Sequence, residues 1–253
     1  LDYAMKIDAD YLATGHYARI EYEPEENTYR LFRGVDRKKD QSYMLCMLNQ
    51  EQLAGILFPL GNYTKEEVRA IAKSRGLRTA ERTESQEICF LPDNDYRGFL
   101  EREYPQALTP GNILSTSGEK LGEHRGVAFY TVGQRKGLGL ASQLPLYVVK
   151  IDAKNNVLVV GNEEETYSES LVAGGLNYIS GKPPLFPLDV KVKIRYRSPL
   201  VPAVLRSSGD GFATVVFRER QKAVTPGQFA VFYCGEEVLG GGTIVSTGDD
   251  TVG

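Results

Sequence analysis

The sequence predicts an α/β segment followed by two β-rich domains, and three observations carry that prediction. A helix-like stretch, Leu1–Ile7, runs into the apolar Tyr11-Leu12-Ala13-Thr14 and then a Gly15-His16 turn. That is the order found in open α/β sheets, whose ligands sit at the carboxyl ends of strands. From about Gly111 glycine becomes frequent and helical spacing disappears. Beyond Glu163-Glu164-Glu165, short β-prone runs separated by turn residues continue to the end of the chain, the pattern of a small barrel or sandwich. The expected domains are 1–92, 93–163 and 164–253.

With 253 residues the chain has room for two or three domains, each with its own core. Hydrophobic residues make up 42% and charged residues 25%, the proportions of ordinary globular protein. No apolar run approaches bilayer length and no signal peptide opens the chain, so no membrane partner is expected. Leu1 already lies inside an apparent helix, and the expectation is a fragment of something longer. Three cysteines, Cys46, Cys89 and Cys234, cannot all pair and show no Cys-x-x-Cys spacing. This argues against a disulfide framework or a zinc site and for a reducing cytoplasm. A net charge of −3 argues against wholesale polyanion binding but leaves room for a local basic face.

In order, Leu1–Ile7 reads as the end of a helix and Tyr11–Thr14 as a buried strand. Ala18–Tyr22 and Thr28–Arg33 form a hairpin through Glu23-Pro24-Glu25-Glu26-Asn27. The basic loop Arg37-Lys38-Lys39-Asp40-Gln41 opens a helical Tyr43–Leu48. Asn49 with Gln52, and Thr64 with Glu67, are capping-box pairs, and Gly76 stops the helix that Thr64 starts. Pro92 closes the apolar stretch around Cys89, Asp93-Asn94-Asp95 supplies cap residues, and Tyr96, Phe99 and Leu100 mark another helix. Strands are expected at Val127–Val132, Leu146–Ile151, Val157–Val160, Leu188–Tyr196, Ala203–Arg206, Ala213–Phe217, Phe229–Tyr233 and Thr243–Val245.

Several groups carry chemistry. Cys89, between Ile88 and Phe90, is either core filler or a protected nucleophile. Glu84 and Glu87 would raise its pKa, so any activation must come from distant groups. In Asp189–Arg197 one face carries Val190, Val192, Ile194 and Tyr196, the other Lys191, Lys193, Arg195 and Arg197. Same-face residues of a strand are roughly 6.6–6.8 Å apart, near the spacing of phosphates along a nucleic-acid strand. A solvated sheet face explains the alternation equally well. Gly133-Gln134-Arg135-Lys136-Gly137-Leu138-Gly139 joins backbone freedom to two cations, either an anion-binding nest or a basic surface turn. His16 stands where a strand hands over to a ligand crevice, and His124 reads as turn chemistry. Gln41 offers a side-chain amide of the kind that reads base edges.

Taken in order, Ala13-Thr14-Gly15-His16-Tyr17, Lys39-Asp40-Gln41-Ser42-Tyr43, Phe58-Pro59-Leu60-Gly61 and Ser85–Phe90 resemble the bacterial tRNA-specific 2-thiouridylases. Gly122-Glu123-His124, Gly133–Gly139, Lys193–Arg197 and Thr225-Pro226-Gly227-Gln228 extend the resemblance over nearly the whole chain. The resemblance implies an enzyme that replaces the C2 oxygen of a wobble uridine with sulfur. ATP, with Mg as its counter-ion, adenylates that oxygen, and a cysteine persulfide supplies the sulfur. It implies the remnant of a PP-loop α/β domain, a central β-rich domain and a C-terminal β-barrel. By the same resemblance Cys89 matches the persulfide cysteine and Gly15 a backbone contact to ATP. His16, Lys39, Asp40 and Gln41 match tRNA contacts, as do Arg195, Tyr196 and Gln228. Partners so implied are tRNA and a sulfur donor such as a cysteine desulfurase or relay protein.

The family's Ser-Gly-Gly-Val-Asp-Ser phosphate loop and its Asp-x-x-Cys segment with the second catalytic cysteine have no counterpart here, and Cys46 and Cys234 read as structural. The competing reading is a tRNA-binding module without chemistry of its own. A cysteine hydrolase using Cys89 with His16 or His124 lacks any recognisable orienting partner. The expected outcome is that this polypeptide by itself does not thiolate tRNA. ATP-dependent thiouridine formation, assayed by nucleoside mass, would overturn that.

Overall fold

The computed structural model describes residues 1–77 and 95–248. The stretch around Cys89 lies outside the described residues. These fall into two compact units. One joins the N-terminal segment to Glu169–Glu219 and Pro226 onward; the other joins the central segment, up to Ser168, to Arg220–Thr225.

In the first unit, helix α1 (Asp2–Lys6) leads into strand β1 (Leu12–Ala13), which pairs in parallel with β4 (Ile56–Leu57). The expected buried strand is largely open, since Ala13 and Tyr11 are exposed and β1 pairs with β4 alone among the described residues. Hairpin β2 (Ala18–Glu23) and β3 (Thr28–Arg33) forms as expected, with Asn27 in the left-handed conformation at the turn. Both predicted capping boxes close, on α2 (Gln50–Ala54) and α3 (Lys65–Ser74), and Gly76 ends α3 at φ 65°. The helix expected at Tyr43–Leu48 is instead a short 3-10 turn, Ser42–Leu45.

The C-terminal barrel comprises β9 (Tyr167–Tyr178), β10 (Leu188–Lys193), β11 (Val201–Ser207), β12 (Ala213–Lys222), β13 (Phe229–Cys234) and β14 (Glu237–Thr247). Their order is β13-β10-β11-β12-β9-β14, and pairing of β13 with β14 closes the ring. Alternation fills it: Val190 and Val192, Ala203 and Leu205, and Ala213, Val215 and Phe217 are buried. The sequence shows only Thr243–Val245 of β14, because Gly240-Gly241-Gly242 interrupts the β-prone pattern. Those glycines are where the neighbours come too close for a side chain. A Cβ at Gly240, whose φ is 150°, would stand 2.1 Å from the Asn177 carbonyl oxygen.

The first residues of β14 also pair with β3, Val238 opposite Leu31 and Glu237 opposite Phe32, so the N-terminal hairpin extends the barrel sheet. Ala18, Leu31, Tyr43, Cys46, Leu53, Ile179, Val231, Tyr233 and Val238 form a single core beneath that junction.

The first described element of the second unit is α4 (Tyr96–Glu103), whose Asp95 cap accepts from the Gly98 N–H at 2.9 Å. Its sheet has the order β6-β5-β8-β7, from β5 (Gly111–Ser115), β6 (Lys120–His124), β7 (Tyr147–Asp152) and β8 (Val157–Gly161). The pairing of β5 with β8 is parallel. The strand expected at Val127–Val132 is a 3-10 turn at Val127–Phe129. His124 serves the turn that follows it, taking the Gly126 N–H on Nδ1 at 3.0 Å; it is also buried, 1% exposed, and lies 3.1 Å from the Asn156 carbonyl through Nε2.

Cys46 is fully buried and burial pushes its thiol up to about 12, whereas Cys234 is exposed at the end of β13 and fills no core. Thiolate is the reactive form. At pH 8 iodoacetamide is therefore expected to modify Cys234 and spare Cys46 until the protein is unfolded, read by peptide mass. The raised thiol value stabilises the fold below 9.0, the ordinary value, and that contribution is lost as pH climbs toward about 12. Rapid alkylation of Cys46 in the native protein would contradict this packing.

Candidate functional site

The loop between β3 and the 3-10 turn is built around two aspartates. Asp36 accepts from the Lys38 N–H and, at the start of α3, the Lys65 N–H, both at 3.0 Å. Burial opposes its charge, but the N–H groups of Lys65, Lys38 and Lys39 outweigh that and hold its carboxyl below the ordinary value. Asp40, 4% exposed, spends both oxygens inside the chain. One takes Arg33 Nε at 3.0 Å; the other takes the N–H groups of Gly34 at 3.2 Å and Ser42 at 3.1 Å. Arg37 donates to the Gly34 carbonyl and pairs with Glu236, leaving Lys38 exposed and Lys39 half-buried.

Gln41 is held by reciprocal bonds to Tyr17. Its N–H donates to the Tyr17 carbonyl and its Oε1 accepts from the Tyr17 N–H, each at 3.0 Å. The Nε2 donor has no partner among the described residues. The same tie brings the loop beside the end of β1, where His16 Nδ1 lies 2.8 Å from Thr14 Oγ1 and its ring meets Phe58 edge-on. Gly15 is exposed there, and a Cβ added to it would meet Leu60 Cδ1 at an ordinary 3.6 Å. The turn thus leaves its backbone approachable at the carboxyl end of a parallel pair, which suits a nucleotide contact.

Next along, the chain reaches the barrel. Tyr43 is buried, and its hydroxyl donates at 3.0 Å to the carbonyl of Phe229, 186 residues away. Its phenol is pushed up to about 12, chiefly by burial. The Tyr43 ring lies 6.2 Å from Tyr196 and 6.4 Å from Phe229. Lys193 Nζ stands 5.9 Å from the Tyr43 ring centre and 5.6 Å from that of Tyr196, a cation between two π faces. Burial lowers its pKa, Asp40 opposes that and Arg33 adds to it. Arg195 is half-buried, and burial lowers its pKa against the pull of Tyr43.

The even cationic row expected along Asp189–Arg197 does not form. Strand β10 ends at Lys193, because Ser198 folds the chain back. Its hydroxyl donates to the Arg195 carbonyl at 3.0 Å and accepts the Arg195 N–H at 3.2 Å. The turn carries Tyr196 to the surface, 38% exposed, where strict alternation would have buried it with Val190, Val192 and Ile194. Gln228 is exposed just before β13, its carbonyl accepting from the Ile244 N–H at 2.8 Å.

Gln41 is bonded to Tyr17, the neighbour of His16, and Tyr43, two residues on, meets Lys193, Arg195 and Tyr196, with Gln228 next to Phe229. Cys89 lies outside the described residues. Arg33, Tyr43 and Phe229 were missed as parts of the site: Arg33 acts through Asp40 across the loop, and Tyr43 and Phe229 meet across 186 residues. Among the described residues no three His, Cys, Asp or Glu side chains gather to hold a metal. An exposed tyrosine ring, half-buried cations and a free amide donor are fitted to stacking bases, phosphates and base edges. No helix among the described residues is long and apolar enough to cross a membrane.

The comparisons first give the class. Residues 1–93 match the tRNA methyl transferase HUP domain, residues 97–162 the tRNA methyl transferase PRC-barrel domain and residues 168–244 the aminomethyltransferase beta-barrel domain. The α/β segment, central β-rich unit and closing barrel are thus the parts of that three-domain architecture. The chain is 50% identical over 242 residues to the tRNA-specific 2-thiouridylase MnmA of Natranaerobius thermophilus, covering 96% of this chain and 66% of that protein. It is 50% identical over 244 residues to MnmA 1 of Caldanaerobacter subterraneus, covering 96% and 67%. For the Pelotomaculum thermopropionicum protein the figures are 49% over 249 residues, 98% and 68%. The chain spans about two thirds of the length of these relatives. It belongs to the tRNA-specific 2-thiouridylase family.

Removing Asp40 leaves Arg33 and two N–H groups without their acceptor. Asp40→Ala is expected to cost about 3–5 kcal/mol in urea unfolding, whereas Lys38→Ala, at an exposed position, stays within about 0.5 kcal/mol. Equal effects would show that Asp40 does not hold the loop.

Proposed function

We propose that this chain grips tRNA and carries sulfur on Cys89 in the 2-thiolation of a wobble uridine. The observation that carries the reading is that Gln41 and Tyr43, two residues apart in one fixed loop, share a compact unit with Lys193 and Tyr196, which contact the Tyr43 ring. Family membership supports the same reading.

Each group then has a task. Tyr196 stacks on a base while Lys193 and Arg195 meet phosphates. Gln41 Nε2 donates to an acceptor on the target base, and His16 and Lys39 flank it. Asp40 acts by positioning this loop, and Gln228 meets the RNA from the barrel side. Gly15 lends backbone to ATP, a co-substrate whose α-phosphorus the uridine O2 attacks as pyrophosphate leaves. The terminal persulfide sulfur on Cys89 then attacks C2, and the C2–O bond breaks as AMP departs with its electron pair. A thiol must finally attack Cys89 Sγ, cleaving the S–S bond and leaving sulfur on C2 while a disulfide forms. The sulfur reaches Cys89 from a cysteine desulfurase or a relay protein, in the cytoplasm.

The test loads the protein with radiolabelled sulfur from a desulfurase and cysteine. Label is expected on Cys89, absent in Cys89→Ala, with tRNA affinity the same in both. Tyr196→Ala is expected to lose about 1–3 kcal/mol of tRNA binding while keeping the label. Unchanged labelling of Cys89→Ala would refute the sulfur-carrying role.

A further inference from the structure

In the second unit, a cleft of about 390 Å³ is lined by Arg135, Gly137, Leu138, Gly139, Leu140 and the segment Ser142 to Leu146. We propose that this cleft binds a phosphate of the RNA backbone, a contact separate from the aromatic face of the first unit. The proposal rests on the tRNA-binding reading above and adds a site to it.

The backbone is the first argument. The sign of φ alternates through Lys136, Gly137 (79°), Leu138 and Gly139 (71°), the pattern that turns successive N–H groups toward one side. Neither glycine is demanded by crowding: a Cβ at Gly139 would meet nothing within 4 Å, and one at Gly137 only Gln134 Nε2 at 3.8 Å. What they supply is the left-handed conformation itself. The N–H groups of Gly137, Leu138 and Gly139 make no hydrogen bond among the described residues, so they remain to be satisfied from outside.

The loop is also held in place. The Gly133 N–H donates to the Val148 carbonyl at 2.7 Å, and the Val148 N–H to the Gln134 carbonyl at 2.9 Å, stitching it to β7. The Gln134 side chain takes the Thr131 N–H at 3.1 Å and donates to the Lys136 carbonyl at 2.9 Å. Leu138 is buried in the unit's core with Ile113, Val148, Leu158 and Val160. A preset loop loses little entropy on binding.

Charge selects the ligand. Arg135 and Lys136 are exposed beside the free N–H groups. Glu163, whose charge Arg135 feels, is already taken by Lys222 and by the Tyr147 hydroxyl at 3.4 Å. A guanidinium with converging N–H donors suits a tetrahedral oxyanion having several acceptor oxygens. Leu144, 73% exposed on the rim, gives a sugar or base an apolar surface to lie against. A phosphodiester and a free mononucleotide share this chemistry; the length of an RNA partner and the open, surface position of the loop favour the former.

The experiment measures tRNA binding against salt for the wild-type chain, the double variant Arg135→Gln with Lys136→Gln, and Lys154→Gln. Lys154 is exposed in the turn at the far end of the β7–β8 hairpin and controls for loss of charge alone. All three substitutions are at exposed positions, and matching thermal melts confirm an unchanged fold. The double variant is expected to bind several-fold more weakly, with the slope of log affinity against log salt shallower by about 1; Lys154→Gln keeps the wild-type slope. Wild-type binding with an unaltered slope in the double variant overturns the cleft proposal alone. Absence of tRNA binding by the wild type overturns the tRNA reading, and this proposal with it. A parallel arm titrates ATP. Loss of ATP binding by the double variant with an unaltered tRNA slope assigns the cleft to a free nucleotide and overturns the RNA assignment.

Discussion

Asp40 is a carboxylate taken almost wholly out of water, and the arrangement of the proposed RNA-binding surface follows from how that charge is accommodated. An isolated buried carboxylate costs several kcal/mol, so the fold surrounds it with Arg33 and two N–H donors. Those donors come from either side of the loop, and binding them together fixes the residues between. Gln41 and Tyr43, immediately after Asp40, then have their directions set: one toward Tyr17 at the end of β1, the other toward Phe229 in the barrel. A residue whose motif suggests contact with a ligand thus serves chiefly by positioning its neighbours.

The barrel supplies the rigidity against which that positioning works. Closure through β13 and β14 pairs every barrel strand on both sides, and β14 goes further by giving its first residues to β3 as well. Three successive glycines make this possible, because neighbouring backbones approach where a side chain would stand. The buried core under the junction draws residues from the hairpin, the 3-10 turn and the barrel alike. Segments far apart in sequence therefore share one hydrophobic core, and the loop and the Lys193–Tyr196 turn are mounted on the same support.

The desolvation of Lys193 and Arg195 shapes what that surface can do. Burial works against the charge of both, and Lys193 has the rings of Tyr43 and Tyr196 beside it. Asp40, the acid that acts on Lys193, is already committed to Arg33. On the proposed reading, a phosphate arriving at Lys193 offsets the burial of its charge and a base stacks on the exposed ring of Tyr196.

The local devices were legible in the sequence. Both capping boxes, the β2–β3 hairpin, the Gly76 helix stop and the Asp95 cap form as read, because each depends on residues a few positions apart. Fold class was legible too, through the change from helical spacing to short strands. What failed were readings in which a side chain outside the expected element decides. Alternation through Ile194–Arg197 looked like strand, yet the Ser198 hydroxyl bends the chain and brings Tyr196 to the surface. His124 serves the turn as read, through the Gly126 N–H, yet its burial against Asn156 was not legible. The apolar Tyr43–Leu48 looked helical, yet Asp40 and Phe229 hold its first residues in a 3-10 turn. The sequence by itself determined the elements and the chemistry on offer, since propensity and capping are short-range. Only the tertiary structure decided which of those groups meet, since the buried Tyr43 hydroxyl and the Cys46 carbonyl find their partners more than a hundred positions away.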